Sequence, residues 1–173
     1  MQSIMTTKKA TQLALLTAVA LALFVIELQI PALVPIPGVK VGLANIVTVF
    51  VVFFIGGKEA AAVLFCRIFL GAIFSGNFST ILYSGAGGLC AFAATIGIRR
   101  FLHRRQIWVA GVLGAVAHSI GQMGMAMLIS GTKTLILYLP IMIFISVLTG
   151  IFTGMCAQIL VLRGGKVWKI SFR

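Results

Sequence analysis

The chain has 173 residues, of which 61% are apolar and only 9% are charged, and its mean hydropathy is +1.17. Soluble domains are about 45–50% apolar, so this composition excludes a soluble globule and predicts one transmembrane domain over residues 1–173. The net charge of +12 does not indicate nucleic-acid binding. The basic residues lie between long apolar runs, where orientation in a bilayer explains them.

Six apolar stretches follow one another along the chain. They cover residues 10–30, 41–56, 59–76, 79–98, 107–130 and 134–162. A crossing needs about 20 apolar residues, so these lengths predict an all-α integral membrane protein with six transmembrane helices. The first stretch follows Lys8 and Lys9, as in a signal peptide. It is long for such a segment and is not followed by a small-residue cleavage site, so we expect a retained helix.

The distribution of basic residues predicts the orientation of these helices. With the N-terminus in the cytoplasm, the outer segments contain only Lys40 and Lys133, whereas Arg67 lies within a helix. The inner segments then contain Lys8, Lys9, Lys58, Arg99, Arg100, Arg104, Arg105, Arg163, Lys166, Lys169 and Arg173. Because cytoplasmic loops are enriched in lysine and arginine, we expect both termini in the cytoplasm and an even number of crossings.

Small residues recur every fourth position along the first predicted helix, at Ala10, Ala14, Ala18 and Ala22. Such a stripe lets two helices approach closely in lipid. It indicates either packing within the bundle or docking to another membrane subunit, and the spacing alone favours neither. The fourth stretch is also rich in small residues between positions 84 and 91, where we expect packing within the bundle.

Several polar side chains interrupt the apolar stretches, and polar groups inside a membrane are costly and often functional. The candidate substrate-binding residues are Glu27, Asn45, Arg67, Tyr83, His118, Gln122 and Tyr138. With a rise of about 1.5 Å per residue, they fall at the membrane midplane or in its outer half. This predicts a polar cavity that opens to the outside, with Arg67 and His118 at its floor. The proline-rich residues 31–40 are placed to cover it as a lid.

Structural interpretations of the same residues remain open. Arg67 and Glu27 could neutralise each other in the bundle, and His118 could be a hydrogen-bonded core residue. Tyr83 and Tyr138 could be anchors at the membrane interface. If Arg67 is not paired with Glu27, the planar guanidinium group of Arg67 favours a small ligand with an anionic group, because carboxylate and phosphate match that geometry.

The sequence does not predict a catalytic or metal-binding residue. It has no aspartate, and its acidic residues are Glu27 and Glu59, too few for a magnesium-diphosphate site built from carboxylates. Its three cysteines lack metal-ligand spacing, and it has no phosphate-binding GxxxxGK[ST] loop. We therefore expect neither an enzyme nor a bound metal or cofactor.

Six short segments carry a resemblance to a known bacterial family. They are PGVKVGLANIVT (37–48), RIFLG (67–71), LYSGAGG (82–88), GAVAHSIGQ (114–122), YLP (138–140) and TGIFTG (149–154). Together they resemble heptaprenyl diphosphate synthase component I, also labelled the Gx transporter family. Ser119 departs from the pattern, in which asparagine follows the histidine.

This family is in turn similar to the S-components of energy-coupling factor transporters, which bind small molecules near the outer face. The resemblance implies a six-helix bundle in the bacterial cytoplasmic membrane that docks through Ala14, Ala18 and Ala22 to a transmembrane coupling subunit acting with two ATPases. The alternative is a non-catalytic accessory subunit in prenyl diphosphate or menaquinone synthesis, or in flavin-based extracellular electron transfer. An isoprenoid or flavin ligand would follow from these associations.

Overall fold

The computed structural model describes residues 7–29, 42–76 and 79–167, and in this part of the chain the regular structure is entirely helical. An α-helix occupies each of the six predicted stretches. The helices are α1 (Thr7–Gln29), α2 (Asn45–Phe54), α3 (Gly57–Ser75), α4 (Ser79–Arg99), α5 (Ile107–Ser130) and α6 (Leu139–Val167). Short 3-10 helices precede α5, at Arg104–Gln106, and α6, at Lys133–Tyr138. The sixth predicted stretch therefore begins in a 3-10 helix.

Glycines end two of the helices where the sequence predicts breaks. Gly76 follows α3 with φ of 63°, and Gly131 follows α5 with φ of 65°. In this left-handed region a Cβ would be strained, so glycine is the residue that ends a helix there at least cost. The predicted proline-rich lid and Lys40 lie outside the described residues.

Four helices are long and apolar enough to cross a membrane: α1, α4, α5 with the 3-10 turn before it, and the segment Lys133–Gly164 that contains most of α6. The remaining two helices, α2 and α3, do not meet these criteria of length and composition, each for its own reason. α2 has only 10 residues, and α3 carries Lys58, Glu59 and Arg67 within its 19 residues.

Helices that follow one another in the chain run in opposite directions. Lys9 pairs with Glu59 at the beginnings of α1 and α3, so these two helices are parallel, with α2 returning between them. Gly57 at the beginning of α3 lies against Ile96 near the end of α4. The backbone N–H of Trp108, at the beginning of α5, donates to Gln158 Oε1 in the second half of α6.

This alternation collects the basic side chains at one end of the bundle, which we call the basic end. It contains the described residues Lys8, Lys9, Lys58, Arg99, Arg100, Arg104, Arg105 and Arg163, whereas Lys133 lies beside the opposite end. Glu59, in contact with Lys9, is the acidic residue of this end. The segregation follows directly from the helix directions, and it is the one predicted from the loops.

The bundle carries apolar side chains outside and polar side chains inside. Leu128, Phe144 and Phe74 are 79%, 67% and 64% exposed, respectively, while Gln122 is 1% exposed. In water such a surface would be a liability, but in lipid it is the expected one. The buried apolar core joins α2 to its neighbours through residues such as Val51 and Val52.

Close backbone contacts hold α5 against α6. A Cβ on Gly111 would lie 2.7 Å from the carbonyl oxygen of Gly150, and one on Gly154 would lie 2.6 Å from that of Trp108. Only glycine leaves room for this approach. Small residues thus bring two helices together where no hydrophobic driving force exists between them in lipid.

Candidate polar site inside the bundle

Glu27, Gly42 and Asn45 lie together where α1 ends and α2 begins. The buried carboxylate of Glu27 accepts a hydrogen bond from the backbone N–H of Gly42. Gly42 has φ of 85°, a left-handed conformation that favours glycine. A Cβ on Gly42 would lie 3.1 Å from Asn45 Nδ2, so the asparagine amide is next to this turn. The turn at Gly42 therefore binds the carboxylate of Glu27 and lies next to the amide of Asn45.

Arg67 lies near the middle of α3 and is 4% exposed. Its charge interacts with that of Glu27 on the neighbouring helix. Its Nη2 atom faces α4, where a Cβ on Gly88 would lie 3.6 Å away. Glu27 thus links Arg67 to the turn at Gly42, and the predicted residues Glu27, Asn45 and Arg67 form one group.

Three buried donor atoms of this group have no hydrogen-bond partner within the described part of the chain. They are Asn45 Nδ2, Arg67 Nε and Arg67 Nη2. An unmade hydrogen bond at a buried donor costs about 1–3 kcal/mol, and more at a charged group. An added acceptor that reached these donors would therefore be stabilised.

Other buried hydroxyl groups of the bundle differ from these donors, because each donates a hydrogen bond to a carbonyl of its own helix. Thr17 donates to the carbonyl of Leu13 at 2.8 Å, and Thr95 donates to that of Ala91 at 2.8 Å. A hydroxyl bonded to its own helix needs no external partner. Asn45 and Arg67 thus differ from these buried residues, whose hydroxyl groups already donate to an acceptor.

His118 and Gln122 form a second group on α5. They stand one turn apart on the same face and are 5% and 1% exposed. Both lie against Gly87 of α4, where a Cβ would come within 2.9 Å of His118 Cε1 and 2.7 Å of Gln122 Cγ. The absent side chain of Gly87 is what gives these two residues their space.

The two groups meet at α4. Gly87 faces His118 and Gln122, while the adjacent Gly88 faces Arg67. The predicted packing role of small residues in this helix is thus observed, and five of the seven candidate residues fall into two buried polar groups that adjoin consecutive glycines of α4. Whether they bind a ligand stays a prediction.

The two tyrosines lie apart from this arrangement. Tyr83 is half-buried and packs against the cluster of Met123, Ala126 and Met142. It stands one turn before Gly87 on α4, and so reaches the edge of the second group. Tyr138 ends a 3-10 helix and is 39% exposed, which places it at the surface rather than among the buried residues.

The sequence did not point to the hydroxyl pair formed by Ser119 and Ser146. Their oxygens lie 2.5 Å apart between α5 and α6, and Ser146 also donates to the carbonyl of Met142 at 2.6 Å. Ser119 attracted notice only as a departure from a family pattern. Ser119 and Ser146 lie 27 residues apart, so no local sequence pattern indicates that they are paired.

The alanine stripe of α1 faces away from the bundle. Ala14, Ala18 and Ala22 are all exposed, whereas Ala20 and Phe24 on the opposite face are buried. Packing of the stripe against the described helices of this chain is therefore excluded. Of the two interpretations that the spacing left open, docking is the one that remains, and it is untested.

Apolar surface, long helices and enclosed polar groups together define an all-helical membrane protein. The chain belongs to the heptaprenyl diphosphate synthase component I family, whose model matches residues 16–160. The family name associates it, as a membrane component, with heptaprenyl diphosphate synthesis. No curated protein and no solved structure matches the chain.

Proposed function

We propose that the chain is the substrate-binding subunit of an energy-coupling factor-type transporter in the bacterial cytoplasmic membrane. It crosses the membrane six times, with the basic end and both termini in the cytoplasm. It binds a small molecule among its buried polar residues and performs no covalent chemistry. The observation that carries this proposal is the set of buried polar side chains that four helices, α1, α2, α3 and α5, supply to the interior of the bundle.

Two further observations support the proposal. The polar group at Glu27, Gly42 and Asn45 lies at the end of α1 and the beginning of α2, opposite the basic end. In the proposed orientation this is the outer side, from which a substrate would enter. The exposed face of Ala14, Ala18 and Ala22 offers a flat surface to a coupling subunit. That subunit, with two ATPases, would supply the energy.

Small molecules released from the purified protein test the proposal directly. The full chain, extracted from its native membranes in mild detergent, should release a stoichiometric organic molecule on denaturation, identified by mass spectrometry. Arg67→Ala should release much less of it, because the cationic side chain that orients the ligand is lost. Arg100→Ala, at the exposed basic end, is the control and should release the same amount. Equal release from both variants contradicts the proposed site.

A second candidate function is favoured by the family match. The chain would then be a non-catalytic membrane subunit in heptaprenyl diphosphate synthesis. Its complete lack of aspartate leaves the magnesium-dependent chemistry to a soluble partner rich in carboxylates. Purification together with such a synthase, and an altered prenyl chain length on deletion, would favour this candidate over transport. A released flavin would instead favour a role in extracellular electron transfer.

The orientation is tested by single cysteines in a chain whose Cys66, Cys90 and Cys156 are replaced by alanine. We expect Lys133→Cys to react with a membrane-impermeant maleimide added outside intact cells, because it lies beside the end opposite the basic end. Arg104→Cys should react only after the membrane is opened. The reverse pattern would place the basic end outside and contradict the proposed topology.

A further inference from the structure

The unpaired donors in the bundle define the chemistry of the ligand more closely than the proposed function does. They are Arg67 Nε, Arg67 Nη2 and Asn45 Nδ2, and both residues are more than nine-tenths buried. All three atoms are hydrogen-bond donors, and arginine has no acceptor to offer. A ligand that meets them must therefore present acceptors.

The two arginine atoms lie on the same edge of the guanidinium group. Nε–H and one N–H of Nη2 point in parallel, and this edge forms two parallel hydrogen bonds to the oxygens of a carboxylate or phosphate. A neutral carbonyl has one oxygen, which can accept from both donors only with bent hydrogen bonds and brings no negative charge to the buried guanidinium group. The geometry selects a group with two equivalent oxygens.

The buried positive charge of Arg67 also favours an anionic ligand. A buried cation needs compensation, because transferring an ion out of water costs several kcal/mol even after relaxation. Glu27 interacts electrostatically with Arg67, but its carboxylate also accepts a hydrogen bond from Gly42. It leaves the Nε–Nη2 edge without a hydrogen bond.

We propose that this edge of Arg67 binds an oxyanion of the ligand, either a carboxylate or a phosphate group, and that the amide of Asn45, connected to Arg67 through Gly42 and Glu27, donates a further hydrogen bond to the ligand. This inference rests on the proposed function and names the class of substrate. The rest of the ligand lies towards His118 and Gln122, which adjoin the same stretch of α4. Glu27 and Gly42 keep the asparagine in place at the entry of α2.

The test measures how anions raise the melting temperature of the full chain in nanodiscs of zwitterionic lipid, at constant ionic strength set with chloride. The probes are inorganic phosphate, acetate and acetamide, the last being an uncharged analogue of acetate. A bound ligand stabilises by mass action, so phosphate or acetate should raise the melting temperature and acetamide should not. The more effective anion distinguishes a phosphate ligand from a carboxylate ligand.

Two variants locate the effect. Arg67→Lys keeps the charge but loses the parallel donors, and we expect it to weaken anion binding by about tenfold or more. Arg100→Gln removes an exposed arginine and should leave the affinity unchanged. Asn45→Ala removes an unpaired amide, so we expect a folded protein that binds the anion several-fold more weakly, even if Arg67→Lys does not fold.

The inference is overturned if neither anion stabilises the protein, or if Arg67→Lys and Asn45→Ala bind the anion as tightly as Arg100→Gln. Its failure differs from that of the proposed function. An uncharged molecule that co-purifies and tolerates Arg67→Lys would leave the transport proposal standing and remove the oxyanion. Anion binding at Arg67 without a co-purifying organic molecule would support the oxyanion site and contradict the proposed transport function.

Discussion

Replacing Gly111 with leucine should separate α5 from α6 and leave little folded protein. The first carbon of the new side chain would meet backbone atoms, with the carbonyl oxygen of Gly150 at 2.7 Å. Backbone cannot move aside as a flexible side chain can. Overpacking typically costs about 1–3 kcal/mol and sometimes more, and here two whole helices must shift. Fluorescence size-exclusion chromatography of detergent extracts measures the surviving folded fraction.

Gly124 provides a matched control on the same helix. A Cβ there would meet no atom within 4 Å, so Gly124→Leu should fold as well as the parent chain. It should even be slightly more stable, because glycine is about 1 kcal/mol less favourable than alanine within a helix. Equal losses for the two leucine variants would show that helical glycines are needed for a reason other than the contact with α6.

Replacing Ala18 with tryptophan should abolish transport while leaving ligand binding intact. The residue lies on the exposed face of α1, between Ala14 and Ala22. A bulky ring would hold a docked helix away from that face, and close approach of small residues is what holds helices together in lipid. The variant should still release its ligand in the mass-spectrometric assay. It should no longer co-purify with a coupling subunit and its ATPases.

The control is Ala93→Trp, since Ala93 is also an exposed alanine but lies on α4. We expect it to keep both the association and the transport. Transport that survives Ala18→Trp would contradict docking through this face. Loss of ligand binding in the same variant would instead mean that α1 contributes to the stability of the site, and the comparison with Ala93→Trp would show whether the effect is specific.

The helices and their directions could be predicted from the sequence because each depends on local composition. A continuous run of about 20 apolar residues can satisfy its backbone hydrogen bonds within the segment itself when it forms a helix, which lipid requires. Basic segments recur at every second connection, so an alternating bundle places them at one end. The boundaries shifted by a few residues, most visibly where Lys133–Tyr138 forms a 3-10 helix before α6.

The candidate site was predictable only in part. Burial of Glu27, Asn45, Arg67, His118 and Gln122 follows from the cost of exposing polar groups to lipid. Tyr138 shows the limit, since an aromatic residue at a helix end is stable at the surface as well as in a cavity. The sequence pattern does not distinguish the two.

The sequence by itself determined that the chain is a helical membrane protein with segregated charge and a few costly polar residues. Hydropathy and charge are properties of short segments, so the positions of the helices and the segregation of charge can be predicted from neighbouring residues. Only the tertiary structure decided that Ala14, Ala18 and Ala22 face outward. It also decided that Gly87 and Gly88 open room for residues of α5 and α3, and that one edge of Arg67 keeps two unpaired donors. Those facts depend on contacts between helices, which are made by residues far apart in the sequence.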